Sequence, residues 1–248
     1  MLDSKLAQAH AARGYIGALA NAPTDQVAAD FGRASALQPN APSIPSWSAR
    51  VLAKQGRVDE ALAEAQRAAD LDPKSASRHI AVAYWALRLG HYDRAAQASR
   101  EALALEPELI LPRALMARAL LLGGRAAECL ELDLGPHTVL AATCRHALGR
   151  AAEAQAMVDS VEADLRRGVR RDRRFTDVLW AEDLAVHYAW LGEADRALEW
   201  LARAYEMSPS GVETMVLESA LFDRVRDAPL FARDVSRIRA GLWDRVRR

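Results

Sequence analysis

Arginines and tyrosines set at a fixed interval are the residues of this chain best suited to chemistry, and that chemistry is recognition. Arg50, Tyr84 and Arg118 stand 34 residues apart, and Tyr15 aligns with them in the preceding stretch. Lys54 and Arg88 form a second row at the same interval, which ends in Leu122. Arginine pairs bidentately with carboxylates, and tyrosine offers a flat apolar contact with a polar tip. Trp85, beside Tyr84, would widen that contact. Together they suit an extended or helical peptide with acidic and apolar residues. The alternative is that they are solvated or locally paired charges, as on most helix faces.

A second constellation is the run from Arg166 to Arg174, with arginines at 166, 167, 170, 171, 173 and 174. It could neutralise phosphates or an anionic surface. Only Phe175 accompanies it as an aromatic, and no base-reading motif does, so a solvated junction is the heavier reading and a nucleic-acid partner is not expected. Catalytic patterns are weaker. His10 and His79 fall at helix-packing positions, Ser208-Pro209-Ser210-Gly211 reads as a helix stop, and Glu182 and Asp183 are adjacent residues that point to different sides of a helix. Cys144 and His146 lie on different faces of one helix, and Cys129 stands at a small packing position, so neither a metal site nor a disulfide framework is expected. The reading is a non-enzymatic chain without a cofactor or metal.

The elements that must position the first constellation are legible as an internal repeat. Ala49, Gly56, Ala61, Ala68, Leu71 and Pro73 return without a gap as Ala83, Gly90, Ala95, Ala102, Leu105 and Pro107. Small residues are needed where two helices approach closely, glycine closes the first helix, and proline ends the second. The unit is therefore a helical hairpin. Repeats are expected over about 4–41, 42–75, 76–109, 110–134, 135–175 and 176–211, with a cap over 212–248. The fourth is shortened by Gly135-Pro136, so the next turn glycine, Gly149, comes early; the fifth is lengthened before Gly192. Beyond the last repeat Leu221-Phe222, Val225 and Pro229-Leu230-Phe231 form apolar anchors, and Val235, Ile238, Leu242 and Trp243 have helical spacing. A stack ends in an apolar face that must be covered.

The period and its residues resemble the tetratricopeptide repeat. The sixth unit, Leu191-Gly192 through Tyr205, followed by Leu221-Phe222-Asp223 and Pro229-Leu230-Phe231, is similar to the end of bacterial modules often fused to winged-helix regulators, Ser/Thr kinases or nucleotide cyclases. The resemblance implies an all-α, right-handed superhelical solenoid of about six helix pairs with a C-terminal capping helix. It implies a scaffold that binds a protein or peptide in a concave groove lined by the two rows above, or the regulatory piece of a signalling protein. The family's best-known groove chemistry is a Lys and Asn clamp for a terminal carboxylate. Here the corresponding positions hold Ser46 and Arg50, Ile80 and Tyr84, Ala114 and Arg118, and that clamp is not expected.

Lys plus Arg and Asp plus Glu both total 33, so no bulk field attracts nucleic acid or membrane, and recognition must be local. No apolar run is long enough to span a membrane, and no signal-peptide pattern opens the chain, which together predict a reducing, cytoplasmic setting.

Overall fold

The computed structural model describes residues 2–20, 22–134, 139–167, 174–207 and 222–228, with residues 231, 233, 235 and 236. Among them there are thirteen helices and no strands. The first twelve form six pairs: α1 (Leu2–Leu19) with α2 (Thr24–Leu37), α3 (Ser43–Lys54) with α4 (Val58–Leu71), and α5 (Ala76–Arg88) with α6 (Tyr92–Leu105). They continue with α7 (Ile110–Leu122) and α8 (Ala126–Glu131), α9 (Val139–Ala147) and α10 (Ala151–Arg167), and α11 (Arg174–Leu191) and α12 (Ala194–Met207). A last short helix, α13, covers Asp223–Arg226. The chain divides into two compact units, 1–115 and 116–248, called unit 1 and unit 2.

The turns of the last five pairs are made by the same local chemistry. Gly56, Gly90, Gly124, Gly149 and Gly192 all take φ between 74° and 79°, a left-handed conformation that costs a side-chain-bearing residue and costs glycine nothing. At each, the amide after the glycine bonds to the carbonyl five residues back, as in Arg57 to Leu52, His91 to Ala86 and Glu193 to Tyr188, each at 2.9 Å. The glycine amide bonds three back, as in Gly56 to Ala53 at 3.0 Å. This double closure satisfies carbonyls that the helix end would leave bare. Every second helix then carries an acid in its first turn, from Asp25 in α2 through Asp59, Asp93, Glu128 and Glu153 to Asp195 in α12, where the helix dipole favours negative charge.

Packing follows from the small residues. Ala49, Ala83, Ala117, Ala142 and Ala185, each seven before its turn glycine, are at most 2% exposed. Gly14 takes this place in α1: a Cβ there would stand 3.1 Å from Phe31. In unit 1 the first three pairs stack so that α4 lies on α5 and α1 lies beside α3. In unit 2, α9 packs on α8, α10 and α11, and α12 closes on α11. Each unit is an all-α stack of helix pairs of the solenoid class.

The irregular spacing between Gly124 and Gly192 has a plain cause. α8 is six residues long where the other second helices have 14 or 17, and α10 and α11 lengthen to 17 and 18. The end of the last pair is covered as the apolar anchors predict. Phe222, Val225, Phe231 and Val235 are buried in one core with Tyr188, Leu198 and Leu201, and Arg224 lies over the Trp190 ring at 4.1 Å. Leu221, Ile238, Leu242 and Trp243 lie outside the described residues.

The two cysteines correct the sequence expectation. Cys129 on α8 and Cys144 on α9 are joined in a disulfide, both fully buried. The expectation failed because it weighed each cysteine on its own helix, whereas the short α8 packs directly against α9.

Candidate interaction surface

In unit 1 the first helices lie side by side and are tied together by side chains. The Tyr15 and Trp47 rings stand 5.9 Å apart between α1 and α3, and Lys54 Nζ donates to the Ala18 carbonyl at 3.1 Å. Arg78 Nη1 on α5 donates to Ser46 Oγ on α3 at 2.5 Å. The face they form carries the two predicted rows. Arg50 and Lys54 are exposed, and Tyr15, Tyr84 and Arg88 are half-buried. Arg50 has no ion-pair or hydrogen-bond partner among the described residues. Trp85 is only 6% exposed; it meets Tyr84 edge-on at 4.5 Å and lies under the Arg88 guanidinium at 5.4 Å. Trp85 is thus packed against Tyr84 and Arg88 rather than standing open as the contact expected from sequence.

Zero net charge conceals a separation between first and second helices. α3 and α5 contain no Asp or Glu and carry Arg50, Lys54, Arg78 and Arg88. α4, between them in sequence, carries Asp59, Glu60, Glu64 and Asp70 against Arg67. The first-helix side is therefore locally cationic, a field that a neutral total would not suggest. The second-helix acids are largely occupied: Arg57 clasps Glu60 through two bonds of 2.6 Å, and Gln66 bonds Asp70 at 2.6 Å. In the first pair Asp30, 3% exposed, accepts bonds from Arg13, which hold its carboxyl below the usual range against the opposing effect of burial. A half-open cleft of about 340 Å³ between α2, α3 and α4 is lined by Val27, Phe31 and Val51 and by Arg57, Glu60 and Glu64, and no residue of the cationic rows lines it.

Unit 2 treats the same positions differently. Arg118 is 2% exposed; its Nη2 donates to Asp183 Oδ1 at 2.5 Å and lies 3.9 Å from Glu182 Oε2. It departs from the expected groove contact because two carboxylates from α11 meet it in the interior. Burial pushes the Glu182 carboxyl up to about 7 and raises Asp183 as well, with Arg118 pulling both the other way. Nearby, Thr143 Oγ1 donates to the Val139 carbonyl at 2.9 Å, so the 2.9 Å contact with His187 Nδ1 has the imidazole as donor. Burial, then His146 and Arg196, push His187 down to about 4, leaving it neutral at physiological pH.

Glu162 is the other polar centre of unit 2. Its Oε1 accepts from Tyr188 Oη at 2.5 Å, Arg196 Nη2 at 2.9 Å and Trp200 Nε1 at 3.1 Å. Burial first, and then this bond to Glu162, push the Tyr188 hydroxyl up from its ordinary value. Arg166, first of the basic run, lies 3.6 Å from both Glu162 and Glu199 and 5.5 Å from the Trp200 ring, and Arg167 pairs with Asp164 at 2.7 Å. Arg170, Arg171 and Arg173, and the Arg174 side chain, lie outside the described residues. No group of three or more metal-ligating side chains converges among the described residues, and no helix there is long and apolar enough to cross a membrane.

No protein-family model matches this chain, and no curated protein sequence does. Among solved structures it is similar to PilF of Pseudomonas aeruginosa, with a TM-score of 0.51 at 16% identity, over 86% of this chain and 97% of that one. YrrB, described as a TPR protein with an unusual peptide-binding site, gives a TM-score of 0.43 at 18% identity, over 73% and 93%. The five left-handed turn glycines, the buried alanines on either side of them and the stacked antiparallel pairs give this chain the fold of a tetratricopeptide-repeat protein.

Proposed function

We propose that this protein is a non-enzymatic interaction module that binds an acidic segment of another protein on the first-helix face of unit 1. Arg50, Lys54 and Arg88 supply charge, and Tyr15 and Tyr84 supply flat apolar contact, with Trp85 as their support. The observation that carries the reading is the absence of any acid from α3 and α5 beside exposed, unpaired Arg50. Because the helices are already stacked, the partner bears most of the ordering cost on binding. Arg118 has no part in the surface, since its charge is spent on Asp183. The same face serves a free-standing scaffold or the regulatory module of a larger bacterial signalling protein.

The test is fluorescence anisotropy with a peptide of alternating Glu and Leu or Phe, run across a salt series. Arg50→Glu with Arg88→Glu is expected to weaken binding by about tenfold or more, roughly 1.4 kcal/mol, with helicity retained. Raising salt is expected to weaken the unmutated protein in the same direction. Equal affinity for the double variant at unchanged helicity discards the surface. Preference for a Lys-containing peptide of the same pattern discards the acidic partner.

A further inference from the structure

The whole chain has two cysteines, and the fold brings them together across 15 residues, from α8 to α9, with neither sulfur exposed. Packing alone does not call for sulfur at Cys129. It stands five residues after its turn glycine, where the four other pairs that have such a glycine hold Ala61, Ala95, Ala154 and Ala197, each fully buried. What sets this pair apart is length. α8 has six residues, well short of a helix that stands without support, and the backbone leaves the helical path at Leu132, with ψ of 138°. The two turns missing from α8 take with them the apolar area that anchors the second helix of every other pair, and a covalent link to α9 occupies that place.

We propose that Cys129 and Cys144 are an oxidation site: a structural cystine, installed by thiol–disulfide exchange, that fastens α8 and requires the protein to mature where a disulfide donor is available. This replaces the reducing, cytoplasmic setting expected from sequence, because thiol pools of that compartment keep such pairs reduced. The chemistry balances with a donor disulfide as oxidant. One cysteine thiolate attacks the donor's S–S bond, forming a mixed disulfide and releasing one donor thiolate. The second thiolate then displaces the other donor sulfur. Two electrons pass to the donor, which leaves as two thiols, and the two cysteine protons go to the donor thiolates through solvent. Since both sulfurs are buried in the fold, exchange takes place on the unfolded chain or with α8 undocked, and reduction must use the same opening.

Two measurements test this on the full chain. Cells of the native host are quenched in acid, the protein is alkylated with iodoacetamide under denaturing conditions, and its intact mass is read. No adduct before reduction and two after it are expected; two adducts without reduction overturn the compartment assignment. Hydrogen exchange is then compared between the oxidised protein and the reduced, alkylation-free protein held in a phosphine reductant. Amides of 126–131 are expected to exchange about tenfold faster or more on reduction, with α3 and α4 unchanged. Cys129→Ala, which restores the residue of the other pairs, separates the bond from its packing. It is expected to match the reduced protein, and protection equal to the oxidised form overturns the fastening role.

Discussion

The position six residues before each turn glycine is occupied by Arg50, Tyr84, Arg118, Thr143 and Val186. In unit 1 it is exposed or half-buried; in unit 2 it is at most 2% exposed in all three cases. The local backbone is the same, down to the paired bonds that close each turn. What differs is what lies over the first helix. In unit 1 the face carries cations with no acid on the same helices, whereas in unit 2 the cation is taken inward and neutralised by Asp183 and Glu182. Repeat register thus sets direction along the stack, and the neighbours a side chain meets decide whether it is a contact or a strut.

The largest expected effect breaks the strut. Asp183→Ala leaves Arg118 buried without its hydrogen-bonded carboxylate, and the loss of one partner of a buried ion pair typically costs about 3 to 5 kcal/mol. Hydrogen exchange of unit 2 is expected to rise accordingly while that of unit 1 holds. Arg50→Ala, at the matching position of unit 1, is expected to change stability by less than about 0.5 kcal/mol, because an exposed, unpaired side chain loses nothing on truncation. If both variants melt alike, the contrast between the units is void.

Smaller effects probe the parts that the units share. Gly90→Val and Ala95→Trp are each expected to destabilise unit 1 by about 1 to 3 kcal/mol, but for different reasons. Gly90 has room for a side chain and a φ of 74°, so valine suffers backbone strain. Ala95 has an ordinary helical backbone and no exposed surface, so tryptophan overpacks. Gly90→Ala, which adds only a Cβ, should recover little if strain dominates. Chemical denaturation of the three variants separates the cases.

Much of the fold was legible because its determinants are local. A turn needs glycine at one place, and a close approach needs alanine at another, so both leave a period in the sequence. The shortened α8 was legible for the same reason, through Gly135-Pro136, and so was the cover from Phe222 and Phe231. The interior of unit 2 was not. Arg118 and Asp183 are 65 residues apart and belong to different repeats, so no interval links them, and a ladder drawn by register placed Arg118 in the groove. The disulfide escaped in a similar way: each cysteine has a sufficient packing explanation on its own helix, and only the contact between α8 and α9 joins them. A signal was present in Cys129 replacing the alanine that the four other pairs with a turn glycine hold, beside a helix too short to hold itself.

The smallest effect is a pH dependence in which two buried groups of unit 2 oppose each other. Glu182 is pushed from 4.5 up to about 7, mainly by burial. As pH rises across that window the unfolded chain gives up this proton while the folded one keeps it, so unit 2 loses stability. Asp183, raised by burial against the pull of Arg118, acts in the same sense. His187 is pushed from 6.5 down to about 4, by burial first, then His146 and Arg196, with Glu162 opposing. As pH falls across its window the unfolded chain takes up a proton that the folded imidazole refuses, so stability is lost toward acid. Over the overlap from 4.5 to 6.5 the slopes of Glu182 and His187 have opposite signs and offset each other, leaving the unmutated unit 2 with the fall that Asp183 contributes. Removing one group exposes the other. Relative to the unmutated protein, Glu182→Gln should tilt the slope toward stability rising with pH as far as about 6.5, and His187→Asn should make stability fall more steeply toward about 7. Unit 1 offers the control: Asp30, held below its ordinary 3.8 by Arg13, contributes stability above that value and loses it only in stronger acid. Denaturant midpoints by hydrogen exchange, unit by unit from pH 4 to 8, separate these profiles, and equal slopes for the two unit 2 variants would show that neither group titrates where its surroundings place it.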